Sequence, residues 1–66
     1  MSPHEHDEEL AEDRRREIFR ALVEADDLSD MSPAQARQVV ARRFGVSEAR
    51  VREVEREGAE RFWPPL

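Results

Sequence analysis

A short turn around Gly45 separates two segments whose apolar residues recur at helical spacing. Before the turn, Ser32, Pro33 and Gln35 form a capping-box pattern, with a serine cap and a proline at the first helical position. The apolar face that follows comprises Ala36, Val39, Val40 and Phe44. Gly45 can take the left-handed conformation that ends a helix. This segment therefore predicts a helix over about 33–44.

After the turn, Ser47 can cap a further helix. Its apolar stripe comprises Val51, Val54, Gly58 and Phe62. Pro64 and Pro65 prevent the helix from continuing. The pattern predicts a helix over about 48–62, next to the previous one because the turn is so short.

The amino-terminal part of the chain carries a third helical pattern. Acidic residues from Asp7 onward suit the positive end of a helix dipole. The apolar positions that follow are Ala11, Ile18, Phe19, Ala21, Leu22, Val23 and Ala25. We expect a helix over about 7–27 with a poorly marked end, because Asp26 and Asp27 stand where the dipole prefers cations. Residues 1–6 are predicted to form a flexible acidic tail, and residues 7–66 one domain that ends in Trp-Pro-Pro-Leu.

These patterns predict an all-α fold, a three-helix bundle that contains a helix-turn-helix. Phe44 and Val51 are expected in its core. The alternative is a three-helix bundle without a helix-turn-helix motif, in which the same residues serve only to pack the core. The order of small and apolar residues around the turn favours the helix-turn-helix, and these residues are Ala41, Gly45, Val46, Val51 and Val54.

The ending RFWPPL places the large apolar residues Phe62, Trp63 and Leu66 beside two prolines. They can fold back over the first helix as a lid, or stay exposed as a docking peptide. We expect the lid, because a domain this small needs the additional buried area.

Composition argues against several classes of protein. A chain of 66 residues forms a single small core, which leaves little room for an enclosed active site. The chain has no Cys, Tyr or Lys, and two histidines without a third ligand, His4 and His6, make a poor metal site. We predict no enzyme, no cofactor and no metal. The sequence has no apolar run that could span a bilayer and no basic signal-peptide start, so a cytoplasmic protein without a membrane partner is expected.

The net charge of −5 is distributed unevenly. Residues 1–30 hold eleven acids and four arginines, net −7, whereas residues 31–66 hold five acids and seven arginines, net +2. The arginines of the second half gather around the predicted turn. The acidic half would repel a nucleic-acid backbone that lay nearby.

The segment RRFGVSEARVREVEREGAERF resembles the second half of region 4 of the bacterial sigma-70 family. The residues that match the family pattern in register are Phe44, Val46, Ser47, Arg50, Val51, Arg52, Val54, Glu55 and Ala59. The resemblance extends over about residues 33–62 and implies that Arg50 and Arg52 lie on a DNA-reading helix. Glu48 and Glu53 depart from the family pattern. The other sigma regions are absent, so we do not expect a complete sigma factor.

The third helix has a mixed polar face opposite its apolar stripe. In a DNA complex, Arg52 or Arg50 can fork to guanine and Glu53 can select cytosine, while Arg42 and Arg43 contact phosphates. The predicted DNA-binding residues are Arg42, Arg43, Ser47, Ala49, Arg50, Arg52, Glu53 and Arg56. Alternatively, this face is a lattice of ion pairs at spacings of three and four, such as Glu48–Arg52 and Glu57–Arg61.

The function predicted from the sequence is that of a small transcription regulator that reads the major groove of double-stranded DNA with its third helix. Weak binding by one acidic copy can be remedied by a homodimer through helix one, or by recruitment through RNA polymerase or another protein. The alternative is a protein-interaction adaptor with the same fold that does not bind DNA.

Overall fold

The computed structural model describes residues 10–28 and 30–65, apart from the side chain of Leu28. The described residues form three helices, α1 (Glu12–Leu28), α2 (Pro33–Phe44) and α3 (Glu48–Arg61), and no strand. Each helix packs against the other two. The predicted all-α three-helix bundle is confirmed, and α2, the three-residue turn 45–47 and α3 form its helix-turn-helix.

The start of α2 is built as the sequence predicts. The Ser32 hydroxyl accepts a hydrogen bond from the Gln35 backbone N–H at 3.2 Å, and the Ser32 N–H donates to the Gln35 side chain at 3.0 Å. Pro33 takes the first helical position. Together these bonds satisfy donors that the first turn of a helix leaves without partners, and they fix where α2 begins.

The end of α2 is a Schellman motif centred on Gly45, which is left-handed at φ 68°. The Gly45 N–H donates to the Arg42 carbonyl at 3.3 Å, and the Val46 N–H donates to the Ala41 carbonyl at 3.0 Å. Val46 is thereby turned toward the core, against which it packs. The turn predicted from glycine and its neighbours is confirmed.

Helix α1 begins later than the sequence pattern predicts. Leu10 and Ala11 are not helical, Ala11 is exposed rather than part of the core, and the predicted residues 7–9 and the tail 1–6 lie outside the described part of the chain. The Arg15 guanidinium accounts for this start, because it donates both to the Leu10 carbonyl and to Glu57 on α3. Leu10 is held against the core outside the helix.

Ten buried apolar residues form one core shared by all three helices and the segment after α3. The largest of the almost completely buried side chains are those of Ile18, Val40, Val51 and Val54. The predicted core position of Val51 is therefore confirmed. Phe44 is only partly buried, and Val39 is 48% exposed because Ala36, Val40 and Ala41 define the inward side of α2.

The buried apolar stripe of α3 does not reach Phe62, and the helix ends one residue earlier than predicted. Helix α3 ends at Arg61, and Phe62 adopts the left-handed conformation at φ 55° and ψ 44°, with its side chain 79% exposed. The N–H groups of Phe62 and Trp63 both donate to the Gly58 carbonyl. The chain thus turns back, and Trp63, 3% exposed, takes the core position in place of Phe62.

The lid expected at the carboxyl end is present for Trp63. Its ring meets the Phe19 ring edge to face, with 6.1 Å between centroids, and the Arg16 guanidinium lies 5.2 Å from its centroid. Phe62 does not take part, and Leu66 lies outside the described residues.

Phe62→Gly is expected to stabilise the protein. A left-handed conformation costs a bulky residue about 1–2 kcal/mol and costs glycine almost nothing, while the extra freedom of glycine in the unfolded chain cancels part of this gain. Little packing is lost, since the Phe62 side chain is exposed. Thermal unfolding followed by circular dichroism should show a Tm raised by a few degrees. A lowered Tm would mean that Phe62 contributes packing that outweighs its backbone strain.

Candidate nucleic-acid interface

The turn 45–47 fixes the direction in which α3 leaves the bundle. The Ser47 hydroxyl accepts from the Arg50 backbone N–H at 3.1 Å and caps the first turn of α3. Val51, directly after this turn, is fully buried. The cap and the buried valine together set which side of α3 faces solvent.

Four of the predicted site residues line one shallow groove on the exposed side of α3. They are Ala49, Arg52, Glu53 and Arg56, and all four are exposed. Residue 49 is three and four positions from residues 52 and 53, and residue 56 is four and three positions from the same two, so all four share one helical face. The structure therefore brings these four together on a surface that no other part of the described chain covers.

The ion pairs divide the arginines into two groups. Seven of them have a carboxylate partner within 4.0 Å: Arg14, Arg15, Arg16, Arg20, Arg37, Arg50 and Arg61. Among residues 10–28 and 30–65, the arginines without such a partner are Arg42, Arg43, Arg52 and Arg56. All four lie at the end of α2 or on the exposed face of α3, and all four are exposed.

Arg50 stands apart from the other predicted contact residues. Its side chain is 24% exposed and its guanidinium pairs with Glu53 at 2.9 Å. Arg50 and Glu53 are thus joined through one guanidinium nitrogen and one carboxylate oxygen, and this bond must open before those two atoms can contact a ligand. The exposed i,i+3 pair contributes a few tenths of a kcal/mol, roughly, so opening it costs little.

The lattice of ion pairs considered as an alternative for this face forms only in part. Glu57 and Arg61 pair at 3.6 Å, but Glu57 also binds Arg15 of α1 at 2.8 Å, so this carboxylate ties helices together. Within the described chain Glu48 and Arg52 form no ion pair. The pairs on α3 leave Arg52 and Arg56 open to solvent.

One arginine near the turn has no counterpart in the sequence prediction. The Arg14 guanidinium of α1 lies 4.8 Å from the centroid of the Phe44 ring, and that of Arg43 lies 5.5 Å from the same centroid. Such contacts are cation–π interactions. They place Arg14 and Arg43 on the same ring, at the negative end of the α2 dipole. No local sequence signal links Arg14 to Phe44, because they lie on different helices.

Other kinds of site find little support in the part of the chain that the structure describes. It contains no group of three or more His, Cys, Asp or Glu side chains placed to hold a metal ion, and His4 and His6 lie outside it. No helix in this part is both long and apolar enough to cross a membrane.

Comparison with family models, curated proteins and solved structures finds no match for this chain. The resemblance to sigma-70 region 4 stays a prediction from the residues around the turn.

Proposed function

We propose that this protein is a small cytoplasmic DNA-binding transcription regulator that reads the major groove with α3, in the manner of sigma region 4. The observation that carries the proposal is the distribution of unpaired arginines. Every arginine without a carboxylate partner in the described chain lies on the helix-turn-helix, and phosphate oxygens and guanine edges are ligands that guanidinium groups bind well.

The exposed face of α3 carries suitable groups for reading bases. Arg52 and Arg56 can each fork to the O6 and N7 acceptors of guanine, and Ala49 can contact a thymine methyl group. Glu53, once released from Arg50, can accept a hydrogen bond from the amino group of cytosine. These contacts would determine which sequence is preferred.

The end of α2 and the turn are suited to positioning the protein on the DNA backbone. Arg42 and Arg43 are exposed and have no carboxylate partner in the described chain. They lie in the last turn of α2, and the turn 45–47 connects that end to the start of α3. Contacts from such arginines to phosphates fix the register of a protein on DNA but do not select a sequence. Ser47 would act through the cap that orients α3.

The charge of the amino-terminal half opposes strong binding by one copy. Residues 1–30 carry a net charge of −7, whereas non-specific affinity depends on neutralising phosphates. Weak binding by a single copy is therefore part of the proposal. A homodimer through α1 would present two reading helices, and recruitment by RNA polymerase or another protein would raise the local concentration near DNA.

A protein-interaction adaptor remains the second candidate. The exposed carboxylates of Glu48 and Glu60 favour it, because they place negative charge near Arg52 and Arg56, and the pairing of Arg50 with Glu53 cancels one positive charge of α3. Repulsion between such carboxylates and phosphates would weaken any DNA complex.

The two sets of arginines should differ in their effects on DNA binding. Arg52→Ala should cost about 1–3 kcal/mol on a selected duplex and relax its preference at one base pair. Arg42→Ala should weaken all duplexes alike and lower the salt slope by about one. Fluorescence anisotropy with a selected and a scrambled duplex separates the two effects. Arg20→Ala, which removes the same charge from a paired arginine on α1, is the control and should leave sequence preference unchanged.

A further inference from the structure

A second groove lies between α1 and α3. Its floor is apolar and includes Leu22, Val23 and Ala59, and its rim carries the carboxylates of Asp26, Asp27 and Glu55. On α3, the positions of Glu55 and Ala59 lie roughly a sixth of a turn around the helix from those of Arg52 and Arg56. The two grooves are therefore neighbours, although no residue lines both of them.

The rim acids on α1 stand in an unfavourable place. Asp26 and Asp27 occupy the last turn of α1, where the helix dipole disfavours negative charge, and that turn contains no basic residue. Neither forms an ion pair in the part of the chain that the structure describes. Two exposed acids at the carboxyl end of a helix reduce its stability, and a cation from another molecule would relieve them.

We propose that this groove binds an amphipathic helix from another protein, one that carries an apolar ridge flanked by lysine or arginine. The apolar floor accepts side chains that recur every three or four residues, as in other helix-in-groove complexes. The basic flanks would meet Asp26 and Asp27, which pair with no cation among the residues that the structure describes.

Charge excludes the other occupants of such a groove. Glu55 is paired with Arg37 at 3.3 Å, but a second copy of this chain would still bring Asp26 and Asp27 against themselves, and like charges brought together disfavour an interface. Nucleic acid and an anionic lipid surface would be repelled for the same reason. A basic protein segment is the occupant whose charge complements the rim.

The test is selection from a displayed library of random 16-residue peptides on the immobilised full chain. The enriched peptides should combine an apolar residue at every third or fourth position with Lys or Arg beside it. A selected peptide should bind Asp26→Asn/Asp27→Asn protein about tenfold more weakly, since each rim charge contributes modestly. Ala59→Arg should block the groove and abolish binding.

The matched control is Asp30→Asn/Glu60→Gln, which removes two exposed carboxylates that neither line the groove nor lie in the first turn of a helix. The rim variant is expected to fold at least as well as the parent, because it relieves the last turn of α1, and a melting curve checks this. Equal loss of binding in both variants, enriched peptides without basic residues, or no enrichment at all would overturn the proposal. So would a concentration-dependent dimer in sedimentation that Ala59→Arg dissolves, because the occupant would then be a second copy.

This inference does not depend on the proposed DNA binding. The selection contains no DNA, and Arg52→Ala/Arg56→Ala protein should bind the selected peptide like the parent. Failure of the groove and failure of the arginine face are therefore observed in separate experiments.

Discussion

Trp63→Ala is expected to unfold most of the protein at ambient temperature. Trp63 is 3% exposed and closes the core against the edge of Phe19, with Arg16 over its ring. Removing a buried aromatic side chain costs about 3–5 kcal/mol. A domain of this length has roughly 3–5 kcal/mol of stability in total, so the loss is comparable with the whole.

The neighbouring aromatic residue supplies the control. Phe62→Ala removes the ring of a residue that is 79% exposed and leaves a residue other than glycine in the left-handed conformation. It should change the free energy of unfolding by less than about 0.5 kcal/mol. Urea unfolding followed by circular dichroism measures both variants. If Trp63→Ala melted like the parent, or if both variants lost the same stability, Trp63 would not be part of the core.

Gly58→Ala is expected to destabilise the protein although alanine favours helices. A Cβ added at Gly58 would overlap the Phe19 ring, including its Cγ at 2.7 Å, and that ring is held in place by Trp63. Overpacking of this kind costs about 1–3 kcal/mol or more. The gain from replacing glycine within a helix is about 1 kcal/mol, so the clash should dominate.

A double-mutant cycle with Phe19→Leu tests the stated cause. Once the ring is removed, Gly58→Ala should cost much less or even stabilise the protein, and the two changes should couple strongly. An equal cost in both backgrounds would show that the space beside Phe19 does not explain the glycine.

The local features of the fold could be predicted from the sequence, because their causes lie within a few residues. The capping box at Ser32, the left-handed Gly45 and the cap at Ser47 each depend on hydrogen bonds between near neighbours. The bounds of α2 followed directly from two of them. Periodicity alone was less informative, since it placed both Val39 and Phe62 on core faces.

The sequence predictions were wrong where contacts between helices determine the bounds of a helix or the position of a side chain. The reversal at Phe62 depends on Trp63 finding Phe19 on α1, and the late start of α1 depends on Arg15 reaching Glu57 on α3. The same applies to the site. Helical spacing predicted that Arg52 and Arg56 share a face, but spacing could not show that Arg50 would be tied to Glu53 or that Arg14 would lie against Phe44.

The central claim is that DNA is bound by the helix-turn-helix arginines that have no carboxylate partner within the described chain. The direct measurement titrates the parent, Arg52→Ala/Arg56→Ala and the paired-arginine control Arg20→Ala/Arg61→Ala against labelled duplex pools at about 50 and 200 mM salt. A chain lacking residues 1–9 is added because its lost acids should raise affinity, most at low salt.

The account predicts weak binding by the parent, tighter binding without residues 1–9, and a much larger loss in the Arg52/Arg56 variant than in the control of equal charge. If the two double variants lost the same DNA affinity, binding would depend only on the net charge of the protein and not on the position of the arginines. If neither the parent nor the shortened chain bound any duplex at the lower salt concentration, the DNA-reading function would be contradicted.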